Sequence, residues 1–347
     1  MSRPLRLTIA AVLVLVACSK SEPTSPPARS EPVQLAAPKA LAVYCGRGEP
    51  LIAKALAAFE AEAGIDLQIK YGDTPQLAAA LLEEGARSPA DVFIAQDAST
   101  LGFLDAKGLF APLEPELLAR VPEGFKSTRG SWIGLSGRAR VLAFHTKNVA
   151  TTELPKSIDE LTEPRWKGRV GWAPENASFQ SFVAAMIELR GRDETKRWLT
   201  RMKANEPKDY PKNVPAVQAV ARGEVDVALV NHYYALRLKD EQGPDFPVDN
   251  HYFRSRDAAS LVNLSGGAVL ASSGQRSSAA TLLKYLLSTA GQAHFVSGNH
   301  EFPVAIDAAS PSGLPAIASL DPPAIDPAEL NDLERAVALL RETHVLR

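Results

Sequence analysis

Cysteine is scarce in this chain of 347 residues: there are two, Cys18 and Cys45. Two thiols cannot build a disulfide framework, and a Cys/His zinc site would need more of them close together. Blocks of like charge are also missing, and the formal net charge is −2. Nothing therefore has the basic footprint of a nucleic-acid-binding protein. The apolar run Leu7 to Val16 is about ten residues, well short of the ~20 needed for a helix to span a bilayer. No internal repeat is evident, and no nucleophile–base pair stands out of the pattern. What is present is an ordinary globular balance, 46% hydrophobic and 22% charged, enough for a sizeable core. The length suits two domains or two lobes.

The N-terminus reads as a processed leader. Arg3 and Arg6 form a positive n-region ahead of the apolar run, which ends in Leu15-Val16-Ala17-Cys18. That ending resembles the lipobox of bacterial lipoproteins, with cleavage after residue 17 and lipid on the Cys18 thiol. An ordinary secretory leader with an incidental cysteine is the alternative. More than one acyl chain gives firm anchoring, so the membrane is expected to hold the protein through lipid alone. Cys45 is then left without a partner. Residues 18–40, rich in Ser, Pro and Glu, read as a disordered tether.

The body begins with strand, helix, strand, helix, strand, the pattern of parallel βαβ units in an α/β fold. The strands are Leu41 to Tyr44, Leu67 to Tyr71 and Asp91 to Ala95; the helices are Leu51 to Ala63, closed by Gly64, and Gln76 to Glu84. Later strands are expected at Arg140 to Phe144, Arg169 to Trp172, Asp226 to Val230 and Ala268 to Ala271. Helices are expected near Phe179 to Leu189, Glu194 to Lys203, Ala216 to Ala221, Ser278 to Leu287 and Gly291 to Val296. A last amphipathic helix spans Pro327 to Glu342 through Leu330, Leu333, Val337 and Leu340.

Ligands of open α/β sheets bind beyond the carboxyl ends of strands. The residues there are Cys45 to Glu49, Gln96-Asp97, Asn176 to Ser178, and Asn231-His232-Tyr233-Tyr234. Two adjacent phenols can face one cleft if the chain turns after the strand. Phenolate is a hard oxygen donor suited to a hard cation, and binding would drive its deprotonation. Taken as a dipeptide alone, the pair reads better as amphipathic packing. His232 reads as packed or solvent-facing rather than as a ligand, its neighbours pointing the other way along an extended chain. Asn176 is a good N-cap, and the N–H groups at Ala177 and Ser178 suit an anion or simple capping. Arg138 could grip an anion or lie solvated on the surface. Asn213 is a turn residue by default, and Cys45 a small buried residue.

Several stretches, in order, resemble the ferric-iron-binding proteins of bacterial ABC importers, within the periplasmic binding protein class. They are Ser88 to Phe93, Leu135 to Val141, Trp166 to Gly171, Tyr210 to Asn213, and Gly223 to Tyr234. The resemblance covers about residues 41 to 305. It implies an α/β fold of two lobes, residues 41–138 with 267–347 and residues 139–266, joined by strands crossing near Arg138 to Phe144 and Leu261 to Gly267. It implies Fe(III) on Tyr233 and Tyr234, with carbonate or a similar synergistic anion held by Arg138, Asn176, Ala177 and Ser178, near Asn213 and Asn231. The usual first-lobe ligands of some members are replaced here: Gly48 stands for a histidine, Glu49 for a tyrosine and Gln96 for a glutamate; Phe144 stands for a further tyrosine found in one branch. Glu49 is a candidate metal ligand or equally a helix N-terminal charge, and Asp97 is a second candidate; Gln96 and Asp97 face the ligand across the cleft, and anion and water can complete the coordination. The expectation is a non-catalytic, monomeric lipoprotein in the periplasm or on the cell surface, serving an ABC permease and ATPase. The rivals are a binder of an organic or oxyanion solute, such as a phosphonate or polyamine, and a hydrolase or transferase on a similar scaffold.

Overall fold

In the computed structural model the first described strand carries Leu41, Val43, Tyr44 and Cys45 into the core, leaving only Ala42 half-buried. The structure describes residues 40–254, 256–309, 314–323, 325, 330 and 333–346. The leader, Cys18 and the tether up to residue 39 lie outside them, as does residue 327, the expected start of the last helix. The described strands are β1 (Leu41–Cys45), β2 (Leu67–Tyr71), β3 (Val92–Ala95), β4 (Trp132–His145), β5 (Val170–Trp172), β6 (Lys208–Asp209), β7 (Val227–Asn231), β8 (Val248–His251), β9 (Val262–Val269) and β10 (Phe302–Pro303). The helices are α1 (Ala53–Ala63), α2 (Thr74–Glu84), α3 (Ala98–Ala106), α4 (Pro115–Leu118), α5 (Ala177–Arg190), α6 (Arg192–Ala204), α7 (Asn213–Ala221), α8 (Tyr233–Gln242), α9 (Arg276–Leu286), α10 (Thr289–Asn299) and α11 (Leu333–Glu342).

The strands follow the order β2-β1-β3-β9-β4-β7-β5-β6, with β10 and β8 added along β4. Pairing is parallel among β2, β1 and β3, and again among β7, β5 and β6. It is antiparallel wherever β4 or β9 takes part. The sheet is therefore mixed, and its two parallel segments are bridged by long strands. β4 is the main bridge: Trp132 to Ala139 pairs with β9, and Arg140 to Phe144 pairs with β7. All fourteen of its residues are buried.

Expected and observed elements differ where the apolar pattern is faint. β4 begins eight positions before the expected Arg140, because Gly134 and Gly137 dilute the strand signal. Gly134 is there for close approach: a Cβ would sit 2.9 Å from the Phe125 carbonyl oxygen. β9 runs from Val262 and ends at Val269, so the expected strand to Ala271 is corrected at its end. α2 starts at Thr74 rather than Gln76, since Pro75 fits the first turn of a helix. α3 and α8 were hidden from periodicity. α3 buries Leu101, Gly102, Leu104 and Asp105, leaving no polar stripe, and α8 opens on the tyrosine pair. Gly64 does close α1, with φ 65° and its N–H donating to the Glu60 carbonyl.

One apolar core packs α1, α2, α9 and α10 against β1, β3 and β9 and continues to α7 and one face of β7. A second holds an aromatic ladder, Trp172, Phe179, Phe182 and Trp198, with successive centroids 5.4, 5.6 and 5.8 Å apart. α11 seals that second core with Ala336, Leu339 and Leu340.

Candidate metal and anion centre

The last residue of β7, Asn231, is followed by His232 in helical conformation, and Tyr233 opens α8. The extended course expected past His232 is thus corrected: the chain turns at once. The turn sets the Tyr233 and Tyr234 rings against each other in a tilted pair, centroids 4.2 Å apart at 36°. Both are half-buried. Burial, then the neighbouring Tyr234 phenol, pushes the Tyr233 phenol well above its ordinary value, while the Arg138 guanidinium pulls it back. The pair offers two half-buried phenolic oxygens, which a hard cation would ionise on binding.

His232 is 0% exposed and serves as structure. Its Nδ1 accepts the Ala139 N–H at 3.2 Å, so the proton sits on Nε2, which donates to the His300 carbonyl at 2.6 Å. Burial pulls this imidazole down to about 4.

A cleft of about 780 Å³ is lined by Gln96, Asp97, Arg138, Ala177, Ser178 and Asn231, whereas Tyr233, Tyr234, Asn176 and Asn213 are not among its lining residues. Arg138 reaches across it from β4 to donate to the Gln96 carbonyl at the end of β3, and its Nε is buried without a partner. Asn176 caps α5, its Oδ1 accepting the Ser178 N–H at 3.0 Å and the Ser178 hydroxyl at 2.7 Å. Asn213 is buried at the first position of α7, which corrects the turn expected there. Its Nδ2 donates to Ser178 Oγ at 3.3 Å. The amide oxygens of Asn213 and Asn231 are buried and unpartnered.

The facing side is better satisfied. Asp97 caps α3, its Oδ1 accepting from Thr100 N, Thr100 Oγ1 and Ser99 Oγ at 2.7–2.8 Å. The Thr74 hydroxyl donates to the Gly46 carbonyl at 2.9 Å and accepts the Gln96 N–H at 3.1 Å. Glu49 is exposed and lines a neighbouring cavity of about 390 Å³ with Tyr71, Asp73 and Gln76, not the cleft that holds Arg138. Cys45 is buried, and burial pushes its thiol up to about 11, the mark of an inert core residue. Among the described residues no group of three His, Cys, Asp or Glu side chains could hold a metal, so the phenols are the distinctive donors.

Two buried arginines escaped the sequence reading. Arg47 follows β1 and is 0% exposed. It forms two hydrogen bonds with Glu301, at 2.9 and 3.0 Å, and a third with Ser136 at 3.2 Å. Ser136 also donates to Glu301 at 2.5 Å and lies 2.6 Å from Ser265, tying β4 to β9. The sequence signal was faint: an arginine between two glycines, and a glutamate 254 positions away. Arg140 is 1% exposed, donates to the Leu229 carbonyl at 2.8 Å, and has no carboxylate partner. Burial pulls its guanidinium down to about 9, opposed by Tyr234 and Tyr233.

Residues 87–330 match the family model described as bacterial extracellular solute-binding protein. The chain is 33% identical over 312 residues to the Fe(3+)-binding periplasmic protein of Serratia marcescens, covering 89% of this chain and 92% of that protein. It is 34% identical over 308 residues to the major ferric iron-binding protein of Neisseria meningitidis serogroup B, covering 87% and 92%. Among solved structures, iron-bound HitA from Pseudomonas aeruginosa superposes with a TM-score of 0.76 at 39% identity, over 88% of this chain and 99% of that one. Trichodesmium IdiA (FutA), in complex with iron and citrate ligands, gives 0.76 at 25% identity over the same shares.

Proposed function

We propose, from the premise that this chain belongs to the ferric-iron-binding periplasmic members of the bacterial extracellular solute-binding protein family, that it captures Fe(III) on the Tyr233 and Tyr234 oxygens. The observation that carries this reading is the turn after β7, which pairs two phenol rings, centroids 4.2 Å apart, beside an arginine with a free Nε. Fe(III) displaces the phenolic protons and is held by two anionic oxygens. A synergistic anion, carbonate or a relative of it, sits at the start of α5 against Arg138, with the Asn213 and Asn231 amides turned toward it. Gln96 and Asp97 face the ion as the lobes 41–138 with 267–347 and 139–266 close on it. The protein is a binding protein and not a catalyst. It hands its cargo to an ABC permease and ATPase, as a monomer anchored through lipid on Cys18.

The test is a titration of apo-protein with Fe(III) and carbonate. A phenolate-to-iron charge-transfer band is expected, and Tyr233→Phe and Tyr234→Phe each weaken or abolish it. Bound Fe(III) with no such band sinks the assignment. The placement of Glu49 outside the cleft supports a second reading, in which the solute is itself an organic or oxyanionic ligand, such as a phosphonate. The Arg138 guanidinium lining the cleft disfavours a polyamine. Tight binding of a metal-free phosphonate, with no response to Fe(III), would select this reading. Mass spectrometry of the mature N-terminus decides the lipid: a diacyl adduct on Cys18, absent in Cys18→Ser, is expected.

A further inference from the structure

The two fully buried arginines are treated differently by the fold. Arg47 is neutralised by Glu301 through two hydrogen bonds. Arg140 has no carboxylate among the described residues. Its Nη2 donates to the Leu229 carbonyl at 2.8 Å, its Nη1 reaches Ser178 Oγ at 3.4 Å, and its Nε has no partner. Phe179 and Phe182 hold the guanidinium between them, their ring centroids 5.4 and 5.2 Å away. Burial of an unpaired charge is costly, and a core stitch alone would be better served by an apolar side chain. Its backbone pairs in register with Asn231, two residues before Tyr233. Ser178 Oγ in turn is fully committed: it donates to Asn176 and receives Asn213 and Arg140.

We propose that Arg140 is a positioning residue of this site, fixing Ser178 at the start of α5 and placing an unneutralised positive charge behind the tyrosine turn. The inference rests on the reading of the cleft as an iron-and-anion site. The counter-charge missing from the protein is supplied by the cargo: two phenolates and an anion arrive together, and the buried guanidinium is compensated only in the loaded state. Arg138 touches the ligand directly, whereas Arg140 acts through Ser178 and through space.

The test compares Arg140→Met, which keeps the bulk and removes the charge, with Arg140→Lys, which keeps the charge. Fe(III) retention is measured with carbonate present against a competing chelator, alongside the absorption spectrum and thermal unfolding. Arg140→Met is expected to lose about tenfold or more in retention and to shift the charge-transfer maximum, and Arg140→Lys to regain most of both. An unchanged spectrum and unchanged retention in Arg140→Met overturn the proposal. Equal losses in the two variants that merely track melting temperature also overturn it, in favour of core packing. If Arg140→Met does not fold, Arg140→Lys is combined with Ser178→Ala: non-additive losses are expected, and additive ones refute action through Ser178. A wild-type protein whose iron spectrum ignores Tyr233→Phe would fail the iron reading itself, which is a separate outcome from any result at Arg140.

Discussion

The two walls of the cleft differ in how their polar atoms are spent. On the wall built from Gly46, Thr74, Gln96 and Asp97, hydroxyls and carboxylate are consumed by capping and loop bonds, and the Gln96 amide oxygen is left buried without a partner. On the wall built from β4, α5 and the end of β7, the Nε atoms of Arg138 and Arg140 and the amide oxygens of Asn213 and Asn231 are buried without partners. Buried polar atoms are nearly always satisfied, so a cluster of exceptions marks where an outside group completes the bonding. Under the proposed function, the second wall holds the cargo and the first covers it.

The sharpest way to break the comparison is to attack the satisfied side. Glu301→Gln leaves Arg47 buried without its counter-charge and is expected to destabilise the fold by about 3–5 kcal/mol in urea denaturation. A loss below ~1 kcal/mol would mean that this ion pair adds no more than surface pairs do. At the turn after β7, Tyr233→Phe is expected to lower Fe(III) affinity about 100-fold, against less than about threefold for Glu49→Ala in the neighbouring cavity. Comparable effects in isothermal titration would erase the asymmetry.

Acid should weaken the holding wall from within. The folded His232 imidazole lies near 4 against an ordinary 6.5, so between those values the unfolded chain binds the extra proton. Apo-protein stability therefore rises with pH through that window, is full above it, and is lost as pH falls, by a few kcal/mol in all. Glu301, which Arg47 and Arg138 hold below the usual carboxylate range against its burial, adds a loss in the same direction at lower pH. His232→Gln should flatten the melting-temperature profile between about pH 6.5 and about 4; an unchanged slope assigns the effect elsewhere. The smallest effect belongs to Asp97→Ala, where loss of the α3 cap should cost about 1 kcal/mol and leave iron affinity nearly intact. A large fall in affinity there would make Asp97 a ligand.

The βαβ opening, the Gly64 terminus and the Asn176 cap were legible because each is a local pattern of apolar spacing or capping chemistry. The tyrosine turn was legible as a strand end, but not its ring pairing, since the helical start at His232 leaves no mark in periodicity. The burial of Arg140 leaves no mark in the sequence: charge argues for the surface, and only the aromatic rings of a distant segment show why it lies inside. The Arg47–Glu301 pair was invisible for the same reason, its halves being brought together only by tertiary packing.

β4 carries Ser136, Arg138 and Arg140 at alternate positions, and alternate side chains of a strand share a face. One strand thus sets, like the teeth of a comb, the spacing of the serine in the ion-pair cluster, the arginine facing the cleft and the arginine behind the tyrosines. Adding or deleting a single residue between Ser136 and Arg140 would swing at least one tooth to the opposite side. For anyone grafting this cleft onto another scaffold, that five-residue stretch, more than any loop around it, is the length that cannot be changed.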